Sequence, residues 1–376
     1  MNKISLSKNN VFDFFKKEPI LCTALALALL TSIFSLPKMG YINFKVLILL
    51  FNLMVVEAAF SDLKVLDSIA ISLLKKCKSK RGIEFSIVFI TFIAAMIVTN
   101  DVALLTFVPI TLIIGKKTNV SVMKLVILQT LAANLGSSFT PMGNPHNLYT
   151  YYLYEISPIN FLKLTLPMTL LSIIFLIILM LRGKNEILQF KLEDIKIKNK
   201  NKVVCFSILL LIILLSVFQI VSYKWVFLIT LIMVFCLDFK LLKKIDYSLL
   251  ITFICFFIFT GNISHMDMFR NFMEKMLNGS LNTYLAGIFA SQIISNVPAT
   301  MLLAGFTQYP NELILALDIG GMGTLIASLA SIISYRLYIG VYKEESNKYL
   351  KKFTAYNIIG LVVFIPVVYI LNFILF

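Results

Sequence analysis

The chain has 376 residues, 59% of them hydrophobic and only 14% charged, with a formal net charge of +15. Soluble domains run nearer about 45–50% apolar and about 25% charged, so a soluble domain is excluded and an integral membrane protein is read instead. The positive charge is split into short clusters between apolar runs, not gathered on one face with aromatic platforms, which excludes a nucleic-acid binder.

The first segment, 1–19, is basic, carries Phe12, Phe14 and Phe15, and has no cleavage-type site behind it. It reads as a cytoplasmic N-terminal segment and not as a removed signal peptide. Apolar runs of spanning length follow at 20–36 and 42–60, then at 156–181, 203–220, 223–239, 249–261 and 353–376. Cysteines 22, 77, 205, 236 and 255 are scattered, so neither a disulfide framework nor a metal site is read from them. The 32 phenylalanines read as lipid-facing or packing material.

Loops rich in Lys and Arg stay cytoplasmic. The cluster Lys75, Lys76, Lys78, Lys80 and Arg81 requires spans 20–36 and 42–60 to go out and return. The stretch 83–114 then ends at Lys116 and Lys117. As a single span it would put those lysines outside, together with the linker 182–202 and its Arg182, Lys184, Lys191, Lys196, Lys198, Lys200 and Lys202. As a re-entrant hairpin it keeps every cluster inside. Its tip is then Thr99-Asn100-Asp101, residue types that cap the N–H groups of a starting helix. Such non-helical backbone is tolerated at depth only when buried in protein or lining a cavity.

A broken helix over 121–153 follows, holding "ANLGSSFTPMGNPHN". The second half repeats the pattern. After spans 203–220, 223–239 and 249–261 comes an amphipathic piece with His265, read as solvated, then a hairpin over 281–308 with its tip at "SNVPAT". A second broken helix over 311–339 holds "DIGGMGTLIASLAS". The two breaks align without gaps: Asn134 on Asp318, Gly136 on Gly320, Thr140 on Thr324, Gly143 on Ala327 and Asn144 on Ser328. Lys240–Lys244 and the group from Arg336 to Lys352 again fall inside. The expectation is an all-α polytopic membrane protein of two inverted-topology repeats, 20–181 and 203–376, joined by the cytoplasmic linker 182–202. The N-terminus is cytoplasmic and the C-terminus extracytoplasmic. Interrupted segments at matching places in two halves point to the binding site of a secondary transporter.

The motifs "TNDVALLTFVP", "AANLGSSFTPMGNPHN" and "SNVPAT" resemble those of the ion transporter superfamily, which includes arsenite permeases, citrate–metal symporters and divalent anion–sodium symporters. The resemblance spans essentially the whole chain. It implies a scaffold and a transport domain, a homodimer, and an elevator-type movement. The tip "TND" looks more like the arsenite-permease branch. Dicarboxylate symporters tend to read Ser-Asn-Thr at both tips, whereas here the tips read Thr-Asn-Asp and Ser-Asn-Val.

One cation site is placed at Asn100, Asp101, Asn134 and Gly136, and a second at Asn296, Asp318 and Gly320. Amide carbonyls and broken-helix backbone can hold Na⁺ there, and buried carboxylates are functional by default. The substrate, a small inorganic or organic anion, is placed among Thr99, Asn100, Thr140, Gly143, Asn144, Pro145, Ser295, Asn296, Thr324 and Ser328. Helix N-termini favour an anion there. No Lys or Arg lies at the centre of a span, which favours a weakly charged solute.

Bland readings stand beside these. Asp101 can serve as a hairpin cap alone, and Asp318 can be structural. His146 is read as a satisfied structural histidine. Glu57, near the end of its span, is expected to reach water and is left out of the site. No cofactor is expected beyond Na⁺ as a coupling ion, and no enzymatic activity. The expected function is a cation-coupled (H⁺ or Na⁺) permease of the cell membrane, with a Na⁺/H⁺ antiporter as the alternative. The chain has no GxxxxGK[ST] phosphate loop of its own; a partner ATPase is compatible with the sequence but not implied by it.

Overall fold

The computed structural model describes residues 18–77, 79–118, 120–182, 185–187 and 193–374. Residues 1–17, Lys78, Lys184 and Lys191 of the expectations above lie outside the described residues. Helices make up the fold, and among the described residues the only β pairing is an isolated bridge between Ser79 and Ile187.

The first half begins with α1 (Pro19–Ser32), α2 (Phe44–Leu63) and the short α3 (Val65–Leu74). Asn43 starts α2 by accepting the Val46 N–H, and Lys64 ends it in the left-handed conformation. Two helices then meet at a break: α4 (Lys80–Ile97), capped by the Ser79 side chain, and α5 (Asn100–Thr118). A helix interrupted after Ser137 follows as α6 (Met123–Ser137) and α7 (Pro145–Leu153). Pro145 sits at the first turn of α7, where its missing N–H costs nothing. The long α8 (Pro158–Leu181) closes the half.

The second half opens with α9 (Lys200–Val217) and α10 (Tyr223–Leu237). From there it follows the order of the first: α11 (Tyr247–Ile263), a short α12 (Asp267–Met276) and a broken pair α13 (Ser280–Ile294) and α14 (Asn296–Leu303). An interrupted helix, α15 (Pro310–Gly320) and α16 (Leu329–Val341), comes next, then the long α17 (Ser346–Phe373). The chain bends by 101° between α11 and α12. Four helical segments, Phe44–Leu63, Pro158–Leu181, Lys200–Val217 and Lys343–Phe373, are each long and apolar enough to cross a membrane.

The pairing of elements is reciprocal. Helix α4 packs along α6 and α13 along α15. The second arm of each broken pair crosses to the other half, α5 onto α16 and α14 onto α7. Helix α1 lies on α11, and α10 on α2. Close approach depends on small residues, as expected where lipid supplies no hydrophobic drive between helices. A Cβ on Gly136 would lie 2.2 Å from the Phe92 carbonyl oxygen, so α4 and α6 touch through backbone.

Two apolar clusters result. One gathers α4, α5, α6 and α8 with buried residues of α13, α15, α16 and α17. The other gathers α1, α2, α9, α10 and α11 with residues of α7, α14 and α15. Large apolar side chains such as Leu211, Trp225, Ile232 and Phe235 remain exposed on α9 and α10, a surface that suits lipid tails.

Candidate functional site

Every N–H at the first break, from Val98 to Asp101, finds a partner. Val98 donates to the Ala94 carbonyl at 2.8 Å, Thr99 to Glu57 Oε1 at 2.6 Å, and Asn100 to the Gly143 carbonyl at 3.2 Å. Asp101 N–H donates to Asn100 Oδ1 at 3.0 Å, so Asn100 starts α5 by capping its neighbour. The second tip repeats part of this with different atoms. Ser295 N–H donates back to Ser291 O at 3.1 Å, and Val297 N–H to Asn296 Oδ1 at 3.0 Å. Ser295 holds φ at 75°, a conformation costly for a side-chain-bearing residue.

Each tip is seated on the break that follows it. Thr140 Oγ1 donates to the Met96 carbonyl at 2.5 Å, and Thr324 Oγ1 to the Gln292 carbonyl at 2.9 Å. Asn100 N–H reaches Gly143 O, and Ser295 Oγ reaches Ala327 O at 3.4 Å. Gly136 abuts Phe92, and Gly320 abuts Ser291 and Ile288. Asn144 and Ser328 stand as N-caps of α7 and α16 with nearly the same backbone, φ −143°, ψ 138° and φ −142°, ψ 137°. Matching positions thus make matching contacts.

The breaks are tied across the halves. Asn134, at the end of α6, accepts from Asn100 Nδ2 at 3.2 Å and from Ser328 Oγ at 3.0 Å. Its amide donates to Gly321 O at 3.2 Å and to Ser331 Oγ at 3.4 Å. Asp318, at the matching place on α15, reaches the other way: its Oδ1 accepts from Asn147 Nδ2 at 2.9 Å and pairs with His146 Nε2 at 3.2 Å. With the carboxylate as acceptor, the ring proton lies on Nε2. Asp318 is 2% exposed and His146 is fully buried.

Several polar atoms here have no protein partner: Asp101 Oδ1, Asp318 Oδ2, Asn147 Oδ1 and His146 Nδ1. Buried polar atoms are normally paired. Three of these are oxygens on carboxyl or amide groups, a donor set that fits a hard monovalent cation or water. The N-termini of α5, α7, α14 and α16 add partial positive charge, and the C-termini of α6 and α15 add partial negative charge.

The expected residues therefore gather in part. Asn100 and Asn134 meet directly, and Ser328 joins them. Asp318 bonds to His146 and Asn147, while Asn296 turns its amide nitrogen toward Gly321. His146, read as a structural histidine, pairs directly with the acid at the second break. One reading needs correction. Glu57 does not reach water at its span end: it is 7% exposed and holds the first tip, because α2 packs its side chain against the break between α4 and α5. Asn147 and Ser331 were also missed. Extending the ungapped alignment by three residues past Asn144 and Ser328 pairs them, and that signal was in the sequence.

A family model described as the citrate transporter matches residues 14–311. The chain belongs to the citrate transporter family. Among its relatives is an uncharacterized transporter of Methanocaldococcus jannaschii, 35% identical over 308 residues, which covers 80% of this chain and 82% of the relative. The inner membrane protein YbiR of Escherichia coli is 26% identical over 275 residues, 72% of this chain and 73% of that protein. A silicon efflux transporter of rice, LSI3, is 29% identical over 126 residues, 34% of this chain and 26% of that protein. The chain is thus a multi-pass membrane transporter of this family.

Proposed function

We propose that the chain is a cation-coupled secondary permease for a small anion or oxyanion. The supporting observation is the reciprocal bonding of Asn134 and Asp318, which joins the breaks of both halves around one polar centre. A discontinuous site of this kind suits solute and ion binding near the bilayer midplane, with the two halves inverted relative to each other. The buried carboxylates Asp101 and Asp318 have unpartnered oxygens for the coupling cation, H⁺ or Na⁺. Asn100, Asn144, Asn296 and Ser328 stand at helix starts and face the solute with N–H dipoles.

None of the side chains found in this network belongs to Lys or Arg. A multiply charged anion would depend on dipoles and co-bound cations alone, so a solute of low charge fits best. A relative named for silicon efflux is in keeping with this. The broken pairs and interrupted helices form the moving unit, and α1, α2, α10 and α11 form the scaffold and the contact of a homodimer in the cell membrane. The cytoplasmic face carries the N-terminus.

The test is uptake by proteoliposomes under imposed Na⁺ or H⁺ gradients, with arsenite, citrate, succinate, phosphate and sulfate in turn. Uptake of a solute that follows one gradient supports the reading. Proton flux driven by Na⁺ without added solute would instead assign a Na⁺/H⁺ antiporter, which the two buried acids also suit. Absence of both would overturn it.

A further inference from the structure

Glu57 is a buried acid that lies outside both breaks. It sits on α2, which belongs to the apolar cluster of α1, α9, α10 and α11, while the tip it contacts belongs to α4 and α5 in the other cluster. Its Oε1 lies 2.6 Å from the Thr99 nitrogen. That distance makes the carboxyl oxygen a direct hydrogen-bond acceptor for the Thr99 N–H.

Of the consecutive tip donors, Val98, Asn100 and Asp101 bond within the hairpin or to the break seated on it. Thr99 alone depends on a side chain from another helix. The second tip needs no such help, because Ser295 N–H bonds within its own arm at the expense of a positive φ. The matched tips are therefore held by different means. Asn100, the next residue, bonds Asn134, so a shift at Thr99 is carried directly into the centre of the site.

We propose that Glu57 is a positioning residue for transport: from α2 it fixes the first hairpin tip in the register that presents Asn100 and Asp101 to the site. This rests on the permease reading above. If the hairpins move against α2 during transport, the Glu57–Thr99 bond is a contact that must break in each cycle. Losing it leaves a part-buried N–H without its protein partner, and the bound geometry becomes one of several that the tip visits.

The experiment compares wild type, Glu57→Gln and Glu57→Leu in two readouts. One is KM and maximal rate in proteoliposomes, for whichever solute of the panel the wild type carries. The other is hydrogen exchange at the Thr99 amide in nanodiscs, read by fragmentation mass spectrometry. Glu57→Leu is expected to raise KM and Thr99 exchange by about tenfold each, the loss of one hydrogen bond. Glu57→Gln keeps an acceptor oxygen in place and is expected to recover most of both. Unchanged Thr99 exchange in Glu57→Leu would overturn the inference, as would an unchanged KM. A Glu57→Gln protein as impaired as Glu57→Leu would overturn the hydrogen-bond assignment. If the wild type carries no solute, the permease reading fails, and the exchange readout still decides whether Glu57 holds the tip.

Discussion

Replacing Asn134 by leucine tests the centre of the site. Leucine has the same branched four-atom skeleton with bulkier methyl ends, so the change removes the bonding without opening a cavity. Four hydrogen bonds disappear, to Asn100, Ser328, Gly321 and Ser331. Asn100 is 3% exposed and Ser328 is 1% exposed, so water cannot readily replace the lost acceptor. A buried group left unsatisfied costs about 1–3 kcal/mol. With two donors and the Gly321 carbonyl stranded, the loss comes to about 3–9 kcal/mol. For a chain of 376 residues that corresponds to a fall in melting temperature of about 4–11 °C. Thermal unfolding of the purified protein in detergent measures it. Ser328→Ala, which removes one of the four bonds, should cost about 1 kcal/mol, and Asn100→Ala, which also removes the cap on Asp101, about 2 kcal/mol. If Asn134→Leu melts within about 2 °C of the wild type, the bonds do not hold the halves together and the reasoning fails.

Three further outcomes are expected. Gly136→Ala should lower the melting temperature more than Gly320→Ala: the new Cβ meets the Phe92 carbonyl 2.2 Å away in the first case but the Ser291 side chain at 2.6 Å in the second, and overpacking against backbone costs about 1–3 kcal/mol or more. His146→Phe removes one of two partners of the buried Asp318 carboxylate; it should destabilise by about 2 kcal/mol, read by thermal unfolding, and slow uptake, whereas His146→Gln should recover part of both. In a cysteine-free background, a cleavable bifunctional thiol reagent bridging Glu57→Cys and Thr99→Cys should stop the uptake that the unlinked double variant retains at saturating solute, and cleaving the bridge should return it to that level; transport that continues in the crosslinked protein would contradict a moving hairpin.

Much of the site was legible in the sequence because membrane helices punish polar interruptions. Thr99-Asn100-Asp101 and Ser295-Asn296-Val297 could only be breaks, and the helices do stop at Ile97 and Ile294 and restart at Asn100 and Asn296. The ungapped match of Asn144 to Ser328 anticipated caps with nearly the same backbone angles. What escaped was contact between distant elements. Asp318 falls with Asn296 of its own half in the sequence, but the contact of α15 with α7 carries its bonds to His146 and Asn147. Periodicity within one segment cannot reveal which half a side chain faces. Glu57 escaped for a related reason: its place near a span end suggested water, while the packing of α2 turned it onto the tip of the first hairpin.

The most direct test of coupling separates exchange from accumulation in one proteoliposome preparation. Solute counterflow without a cation gradient would be measured beside uptake driven by one, for wild type, Asp101→Asn and Asp318→Asn. The expected result is that at least one variant keeps counterflow and loses gradient-driven accumulation, because the solute contacts remain while the cation loses its carboxylate. If both variants accumulate solute as the wild type does, neither buried acid carries the coupling cation, and the central claim is contradicted.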